Sequence, residues 1–132
     1  MRWFAALLFA AALTAGAESA LACTCPPPPP AKEAMEKSAA VFLAKVVEVK
    51  GMEVTLEVAR TWKGVTTKTA VLTTFSGARC GYDFHVGRSY LVYAFRNDKG
   101  VLTTNFCTRT MPEASAKADL EALGPGQAPE GK

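Results

Sequence analysis

The residues best suited to chemistry are Cys23, Thr24 and Cys25, because a processing site directly precedes them. The small residues Ala20 and Ala22 form the A-x-A pattern at which signal peptides are cut. Cleavage there makes Cys23 the first residue and leaves a free α-amino group beside its own carbonyl oxygen. Such an amine has a reference pKa of about 7.7–8.0, so a useful fraction is neutral near pH 7. The amine and the carbonyl oxygen together can bind a metal ion in a five-membered ring.

This chemistry suits a metal ion that belongs to another protein. A catalytic zinc with three protein ligands keeps a position open for water, and an amine and a carbonyl can displace that water. Fixing the two groups in advance lowers the entropy cost of binding. The five prolines at 26–30 predict a stiff polyproline helix without backbone donors. We interpret it either as a spacer or as the support that presents Cys23, Thr24 and Cys25 as a rigid ridge.

Residues 1–22 have the pattern of a secretory signal peptide. Arg2 provides a positive start, and an almost unbroken apolar run covers residues 3–13. The run is shorter than the roughly 20 apolar residues that a membrane-spanning helix needs. We therefore expect an exported protein, extracellular or periplasmic, whose mature chain has the size of one domain.

A cysteine at the first mature position has a second interpretation, which is acylation as in a bacterial lipoprotein. Lipoprotein signals usually place Leu three residues before the cysteine. Ala20 holds that position here, and Leu21 lies one place too late. We expect a free amine at Cys23, and a membrane partner only if Cys23 carries lipid.

The four cysteines all follow the predicted cleavage site, which indicates two disulfides in an exported domain. On an extended stretch the side chains of Cys23 and Cys25 leave one face about 6.6 Å apart. A disulfide needs its Cβ atoms about 3.8 Å apart, so each should pair far along the chain, with Cys80 or Cys107. Spacing leaves both assignments open. A zinc site is the alternative, disfavoured by the single short spacing and by export.

The rest of the chain predicts five strands between two helices. The helices are expected at residues 31–38 and 113–123, the second begun by Pro112 and ended by Gly124. Turn signals and alternating apolar residues predict strands at 41–50, 52–58 (closed by 62–64), 69–75, 89–95 and 101–107. We predict an all-β fold with flanking helices, a five-stranded OB-fold barrel with a stapled N-terminal arm. The domain is expected at 23–124 and a flexible tail at 125–132.

Composition and motifs argue against other functions. The net charge of +3 is small and spread along the chain, so nucleic acid is not an expected partner. His85 is the only histidine, and no G-x-S-x-G, P-loop, GxGxxG or HExxH motif occurs. We interpret His85 as a turn residue and expect a monomer that is not an enzyme and needs no cofactor. A hydrolase using His85 is the weakest alternative.

The Cys-Thr-Cys start followed by prolines resembles the tissue inhibitors of metalloproteinases, which belong to the netrin-like branch of OB-folds. Four further segments are similar to this family and occur in the same order. They are residues 41–46 (VFLAKV), 62–64 (WKG), 80–82 (CGY) and 103–107 (TTNFC). The resemblance therefore covers nearly all of the mature chain, from Cys23 to about Leu123.

The resemblance implies an inhibitor of zinc metalloproteases with disulfides Cys23–Cys80 and Cys25–Cys107. The Cys23 amine and carbonyl would bind the zinc of the target protease in trans, and Thr24 would enter its specificity pocket. Pro26 and Pro27 would line the adjoining cleft. The second half of the inhibitory wedge would be the loop of Ser76, Gly77, Ala78 and Arg79.

The chain also departs from this family. Met35 stands where the animal inhibitors have a third cysteine, and their second, cysteine-rich domain is absent. The short turn at Gly51 removes an extended first loop. These departures leave the expected fold intact and the target protease open. The alternative function is a netrin-like binding or adhesion module, possibly lipid-anchored at Cys23, whose cysteines serve only as staples.

Overall fold

A computed structural model of the chain describes residues 23–75 and 80–131 and centres on a closed barrel of five strands. The strands are β1 (Ala40–Lys50), β2 (Glu53–Lys63), β3 (Thr69–Thr73), β4 (Ser89–Arg96) and β5 (Leu102–Thr103). Their order is β1-β2-β3-β5-β4, and β4 pairs back onto β1. The β3–β5 pair is parallel, whereas the other pairs are antiparallel. This closed barrel fits the predicted OB-like architecture.

Strand β1 is buried on both of its faces along its first half. Phe42 and Val46 point into the barrel, where they pack with Leu56 and Leu72. The alternate side chains, such as Val41, point to the opposite face and belong to a second apolar cluster. This double burial explains why the sequence of β1 lacks the polar–apolar alternation that β2 shows from Glu53 to Val58.

Two short helices cover that second face of β1. Helix α1 (Ala31–Lys37) contributes Ala34, and helix α2 (Lys117–Leu123) follows the buried Ala116. Leu120 and Leu123 of α2 pack against the same cluster, together with Met35. The helices therefore bury their apolar faces on the outside of the barrel and leave its interior to the strands.

The end of β2 joins several parts of the chain. The Lys63 ammonium donates to the carbonyls of Met35 and Glu36 at the C-terminal end of α1, at 3.1 and 2.9 Å. A cation at that end also complements the helix dipole. Gly64 follows with a φ of +76° and approaches the Ala39 carbonyl so closely that no Cβ fits there. The Trp-Lys-Gly segment is thus a structural junction.

The last third of the chain differs from the predicted elements. The predicted strand at 101–107 pairs only over Leu102–Thr103, and a further two-residue strand, β6 (Met111–Pro112), pairs with β4. The predicted helix at 113–123 divides into a 3-10 turn, Glu113–Ser115, and α2. The Asn105 side chain accepts a 2.8 Å hydrogen bond from the Cys107 amide, which turns the chain away from the sheet.

The segment predicted as a flexible tail is paired with β2 instead. Gln127 exchanges two backbone hydrogen bonds of 2.8 Å with Thr61, and the Glu130 amide donates to the Thr66 carbonyl at 2.6 Å. The Trp62 indole donates to the Gly124 carbonyl at 3.1 Å. Residues 124–130 therefore belong to the folded domain.

Some predictions concern residues outside the described ranges. The predicted signal peptide, residues 1–22, lies there, as do Ser76, Gly77, Ala78 and Arg79. Within residues 23–75 and 80–131, no helix has both the length and the apolar character needed to cross a bilayer.

Candidate functional site

Two disulfides fix the N-terminal arm, which we define as residues 23–30, to the barrel. Cys23 is bonded to Cys80 and Cys25 to Cys107, with Cα–Cα distances of 5.6 and 5.2 Å. This is the pairing that the resemblance implies. The first bond joins residues that are 57 positions apart in the sequence, and the second joins residues that are 82 positions apart. On the chain-entropy model, one closure of that length alone stabilises the fold by about 4 kcal/mol, and the two together contribute less than the sum because their loops overlap.

The two disulfides leave Thr24 exposed. Cys23 and Cys25 are half-buried, because their side chains turn towards the barrel. Thr24 lies between them and is exposed, as alternation along an extended segment requires. Pro26, Pro27 and Pro28 continue this exposed surface, and Pro29 is half-buried. The ridge of Cys23, Thr24 and Cys25 is therefore presented at the surface and covalently fixed on both sides of Thr24.

Phe75 and Gly81, on either side of the undescribed residues 76–79, are in direct backbone contact. Gly81 lies against the Phe75 backbone so closely that a Cβ atom at position 81 would overlap the Phe75 carbonyl oxygen. The Tyr82 amide donates to the Thr74 hydroxyl at 2.8 Å, and that hydroxyl donates to the Thr104 carbonyl at 3.0 Å. These contacts fix the position of Cys80, the disulfide partner of Cys23.

The two segments that bear the partner cysteines are neighbours. The Phe106 amide donates to the Cys80 carbonyl at 2.9 Å, so Cys80 and Cys107 lie side by side below the arm. The Phe106 side chain is 63% exposed. Sequence patterns assigned this phenylalanine to a strand. Its surface position follows from the turn at Asn105, which the Asn-x-Cys spacing could have indicated.

Threonine hydroxyls hold the turn after β5 against β4. The Thr104 hydroxyl donates to the Tyr93 carbonyl at 2.8 Å, and the Tyr93 amide donates to the Thr110 hydroxyl at 3.0 Å. The two hydroxyls also lie 3.0 Å from each other, and both residues are buried. These side chains satisfy backbone groups of β4 that a longer β5 would otherwise pair. The Cys107 segment is thus held rigidly although β5 is short.

A charged network at the other end of the arm was not predicted from the sequence. The Arg109 guanidinium binds both oxygens of the Asp119 carboxylate, with a 2.8 Å bond from Nε to Oδ2. The Tyr93 hydroxyl donates to the same Oδ2 at 2.8 Å. The remaining Arg109 nitrogen, Nη1, donates to the Pro29 carbonyl at 3.2 Å. Asp119 lies three residues after Ala116 on the apolar side of α2, and a charge at such a position could have signalled a buried partner.

The pKa values of this network follow from its contacts. Burial alone raises the pKa of Asp119, but hydrogen bonds from Arg109 and Tyr93 outweigh it and hold the pKa below its usual value. The hydrogen bond with Asp119 raises the pKa of Arg109. Burial, and then the hydrogen bond to Asp119, raises the pKa of the Tyr93 hydroxyl. The pair is therefore fully ionised at neutral pH.

The predicted site residues are only partly within the described ranges. The structure brings Cys23, Thr24, Cys25, Pro26 and Pro27 together on one exposed edge. The predicted loop residues Ser76, Gly77, Ala78 and Arg79 lie outside the described residues, and Cys80, which follows them, is bonded to Cys23 of the ridge.

The alternative site around His85 consists of exposed side chains. His85 and Asp83 are exposed, and the His85 amide donates to the Tyr90 hydroxyl at 3.0 Å. Across the described parts of the chain, no group of three or more His, Cys, Asp or Glu side chains is placed to hold a metal ion. The chain matches no protein-family model and no curated protein.

Proposed function

We propose that the processed protein is an exported inhibitor of zinc metalloproteases. The observation that carries this proposal is the exposure of Thr24 between Cys23 and Cys25, each of which is fixed by a disulfide. A flexible peptide loses conformational entropy when it enters an active-site cleft, whereas this segment is ordered beforehand.

The donor set of Cys23 suits a zinc ion held by another protein. Its sulfur is consumed in the bond to Cys80, which leaves the α-amine and the carbonyl oxygen as available ligands. Nitrogen and oxygen are common ligands of zinc in proteins. The nitrogen can donate a lone pair only after cleavage before Cys23, because an amide nitrogen is a poor ligand.

The neighbouring residues extend this proposal. Thr24 would enter the specificity pocket beside the zinc, and Pro26 and Pro27 would line the adjoining cleft. The loop 76–79 would supply the second half of the wedge. The neighbouring described residues support this part of the proposal, because Cys80 is bonded to Cys23 and Gly81 lies against Phe75. In the same proposal, the barrel belongs to the netrin-like branch of OB-folds and acts as a secreted monomer.

The direct test is an alanine added before Cys23. The mature protein and the extended form are compared against a panel of zinc metalloproteases, with a serine protease as a negative control. We expect the extension to weaken inhibition by about 100-fold or more, which corresponds to roughly 2.7 kcal/mol of lost binding. Equal melting temperatures would show that both forms are folded. Equal inhibition by the two forms would disprove binding through the amine.

The second candidate is a binding or adhesion module without a protease target. The observation that favours it is an apolar groove of about 430 Å³ on the barrel, lined by Met52, Phe75 and Val101 together with the β4–β5 turn. Intact mass and N-terminal sequencing of the exported protein separate the candidates. An acylated Cys23, or a panel of metalloproteases left fully active, would favour the binding module.

A further inference from the structure

The proline run has no backbone N–H groups, which most segments use to form hydrogen bonds with the rest of a fold. Proline has no backbone N–H, so residues 26–30 can form backbone hydrogen bonds only through their carbonyl oxygens. Two of these oxygens accept bonds from described residues. The Pro30 carbonyl accepts from the Ala34 amide at 2.9 Å within the start of α1. The Pro29 carbonyl accepts from Arg109 Nη1 at 3.2 Å, across a separation of 80 residues.

Arg109 is itself held in a fixed direction. Its Nε and Nη2 atoms engage the two oxygens of Asp119, so the plane of the guanidinium is set by the carboxylate. The Asp119 side chain is only 5% exposed, and the Tyr93 hydroxyl fixes its Oδ2 atom. The Arg109 side chain is 22% exposed, which leaves its Nη1 atom directed at the arm.

The N-terminal arm and the segment from Cys107 to Arg109 are therefore joined at two points. The first is the disulfide between Cys25 and Cys107, and the second is the hydrogen bond between Pro29 and Arg109. In a polyproline helix with a rise of about 3.1 Å per residue, the two attachment points on the arm lie roughly 12 Å apart. The disulfide at Cys25 and the start of helix α1 hold the two ends of the proline run, and the bond from Arg109 adds a side-chain restraint just before the helix.

We propose that Arg109 is a positioning residue that restrains the proline run between the Cys25 disulfide and helix α1 and couples it to helix α2 through Asp119. Its consequence for protease inhibition rests on the proposed function, because Pro26 and Pro27 then meet the cleft at a defined angle. The positioning itself does not rest on that function. The two parts can therefore be tested separately.

The first test measures the arm without any protease. Mature protein with ¹³C-labelled proline is compared by NMR relaxation for wild type, Arg109→Gln and Arg109→Lys. Arg109→Gln should increase the mobility of Pro26 to Pro29, and Arg109→Lys should restore part of the order because it keeps one charged donor. Unchanged proline relaxation in Arg109→Gln would overturn the proposal.

A stability control separates positioning from general loosening. Tyr93→Phe removes the bond to Asp119 but keeps the bonds from Arg109 to Asp119 and Pro29, so it should lower stability while the prolines stay ordered. Equal mobility of the prolines in Tyr93→Phe and in Arg109→Gln would overturn a specific role for Arg109. Arg60→Gln, at an exposed position of β2, provides the charge-matched control. If Arg109→Gln does not fold, the test uses Arg109→Lys. We then expect prolines that are more mobile than in wild type, and proline mobility equal to wild type would contradict the proposal.

The second test measures inhibition with the same proteins. We expect Arg109→Gln to inhibit a susceptible metalloprotease about tenfold more weakly, as for the loss of one charge-assisted hydrogen bond that organises the arm. Arg60→Gln should match wild type. Mobile prolines with unchanged inhibition would overturn the link between the arm and inhibition. If wild type inhibits no protease, the proposed function fails, while the relaxation data still decide the role of Arg109.

Discussion

The hydroxyl of Tyr93 and the carboxylate of Asp119 form a buried 2.8 Å hydrogen bond that links β4 to helix α2. Arg109 completes the group from the turn that follows Cys107. Three elements distant in sequence therefore meet at one carboxylate. Its charge is balanced by Arg109 and its oxygens are satisfied, which is the condition under which a buried acid stabilises a fold.

Replacing this carboxylate should lower stability at neutral pH. Asp119→Asn keeps the size of the side chain but removes its charge and its paired acceptors, leaving Arg109 without a counter-ion. We expect a loss of about 2–3 kcal/mol, typical of hydrogen bonds to charged groups. Urea unfolding measures it, and Asp98→Asn in the exposed β4–β5 turn is the matched control. Equal unfolding midpoints for both variants would contradict the expectation.

The same carboxylate should give the protein an acid-dependent stability. The folded-state pKa of Asp119 lies below its usual value. Its contribution is therefore fully present above the unfolded-state pKa of about 3.9 and is lost as the pH falls through the folded-state pKa. Urea unfolding from neutral pH to about pH 2 should show a smaller acid loss in Asp119→Asn than in wild type. If the free energy of unfolding fell with decreasing pH as steeply in Asp119→Asn as in wild type, Asp119 would not be the source of the acid dependence.

Gly81→Ala should be far more damaging than an alanine at an open glycine. A Cβ at position 81 meets the backbone of Phe75, which no side-chain rotation can relieve. We expect a loss of about 3 kcal/mol or more, at the upper end for overpacking. Gly51→Ala, where φ is +61° and no atom lies within 4 Å, should cost only about 1 kcal/mol. Thermal unfolding of both variants checks this, and similar melting temperatures would show that the contact between Phe75 and Gly81 can open freely.

Truncation after Gly124 should destabilise the domain. The deletion removes the backbone bonds of Gln127 and Glu130 and the packing of Gly126 on Trp62. We expect a loss of about 1–3 kcal/mol from the lost hydrogen bonds. Trp62 is the only tryptophan after residue 22, so its fluorescence should also shift to the red. Gln127→Ala keeps the backbone bonds and should have the stability and fluorescence of wild type. If the truncated protein also matches wild type, residues 125–130 do not contribute to the fold.

Substitutions of Thr24 should separate function from stability. The side chain is exposed, so Thr24→Leu should change the free energy of unfolding by no more than about 0.5 kcal/mol. In the proposed function, it should favour proteases with deep apolar specificity pockets over those with small ones. Inhibition constants against proteases with deep pockets and proteases with small pockets measure this preference. Thr66→Leu, at another exposed threonine, is the control. A uniform change across all proteases would place Thr24 outside the pocket.

The barrel could be predicted because its strands carry local signals. The alternation of Val54, Leu56 and Val58 and the turn at Gly51 are visible in the sequence, and both recur in the β1–β2 hairpin. The last strand could not be predicted as well, because the hydroxyls of Thr104 and Thr110 replace part of its backbone pairing. Hydroxyl networks leave no periodic signal in a sequence.

The arm could be predicted in part. The position of Cys23 and Cys25 beside the predicted processing site indicated the ridge, and the resemblance implied their partners. The role of Arg109 depends on contacts with Pro29 and Asp119, whose distances in sequence give no hint of proximity. Such contacts arise from the closure of the barrel and become visible only in three dimensions.

The long spans of the two disulfides set an order for maturation. If the chain is exported N-terminus first, as the proposed function requires, Cys23 and Cys25 emerge well before their partners, which follow 57 and 82 residues later. The bond to Cys80 would then become available before the bond to Cys107, and the ridge could be fixed only after most of the domain had emerged. A protein that acts through this ridge is inert while it is being made. In the proposed function, it would acquire its activity only from cleavage and oxidation after export, so the zinc enzymes of the producing cell would not meet the active form.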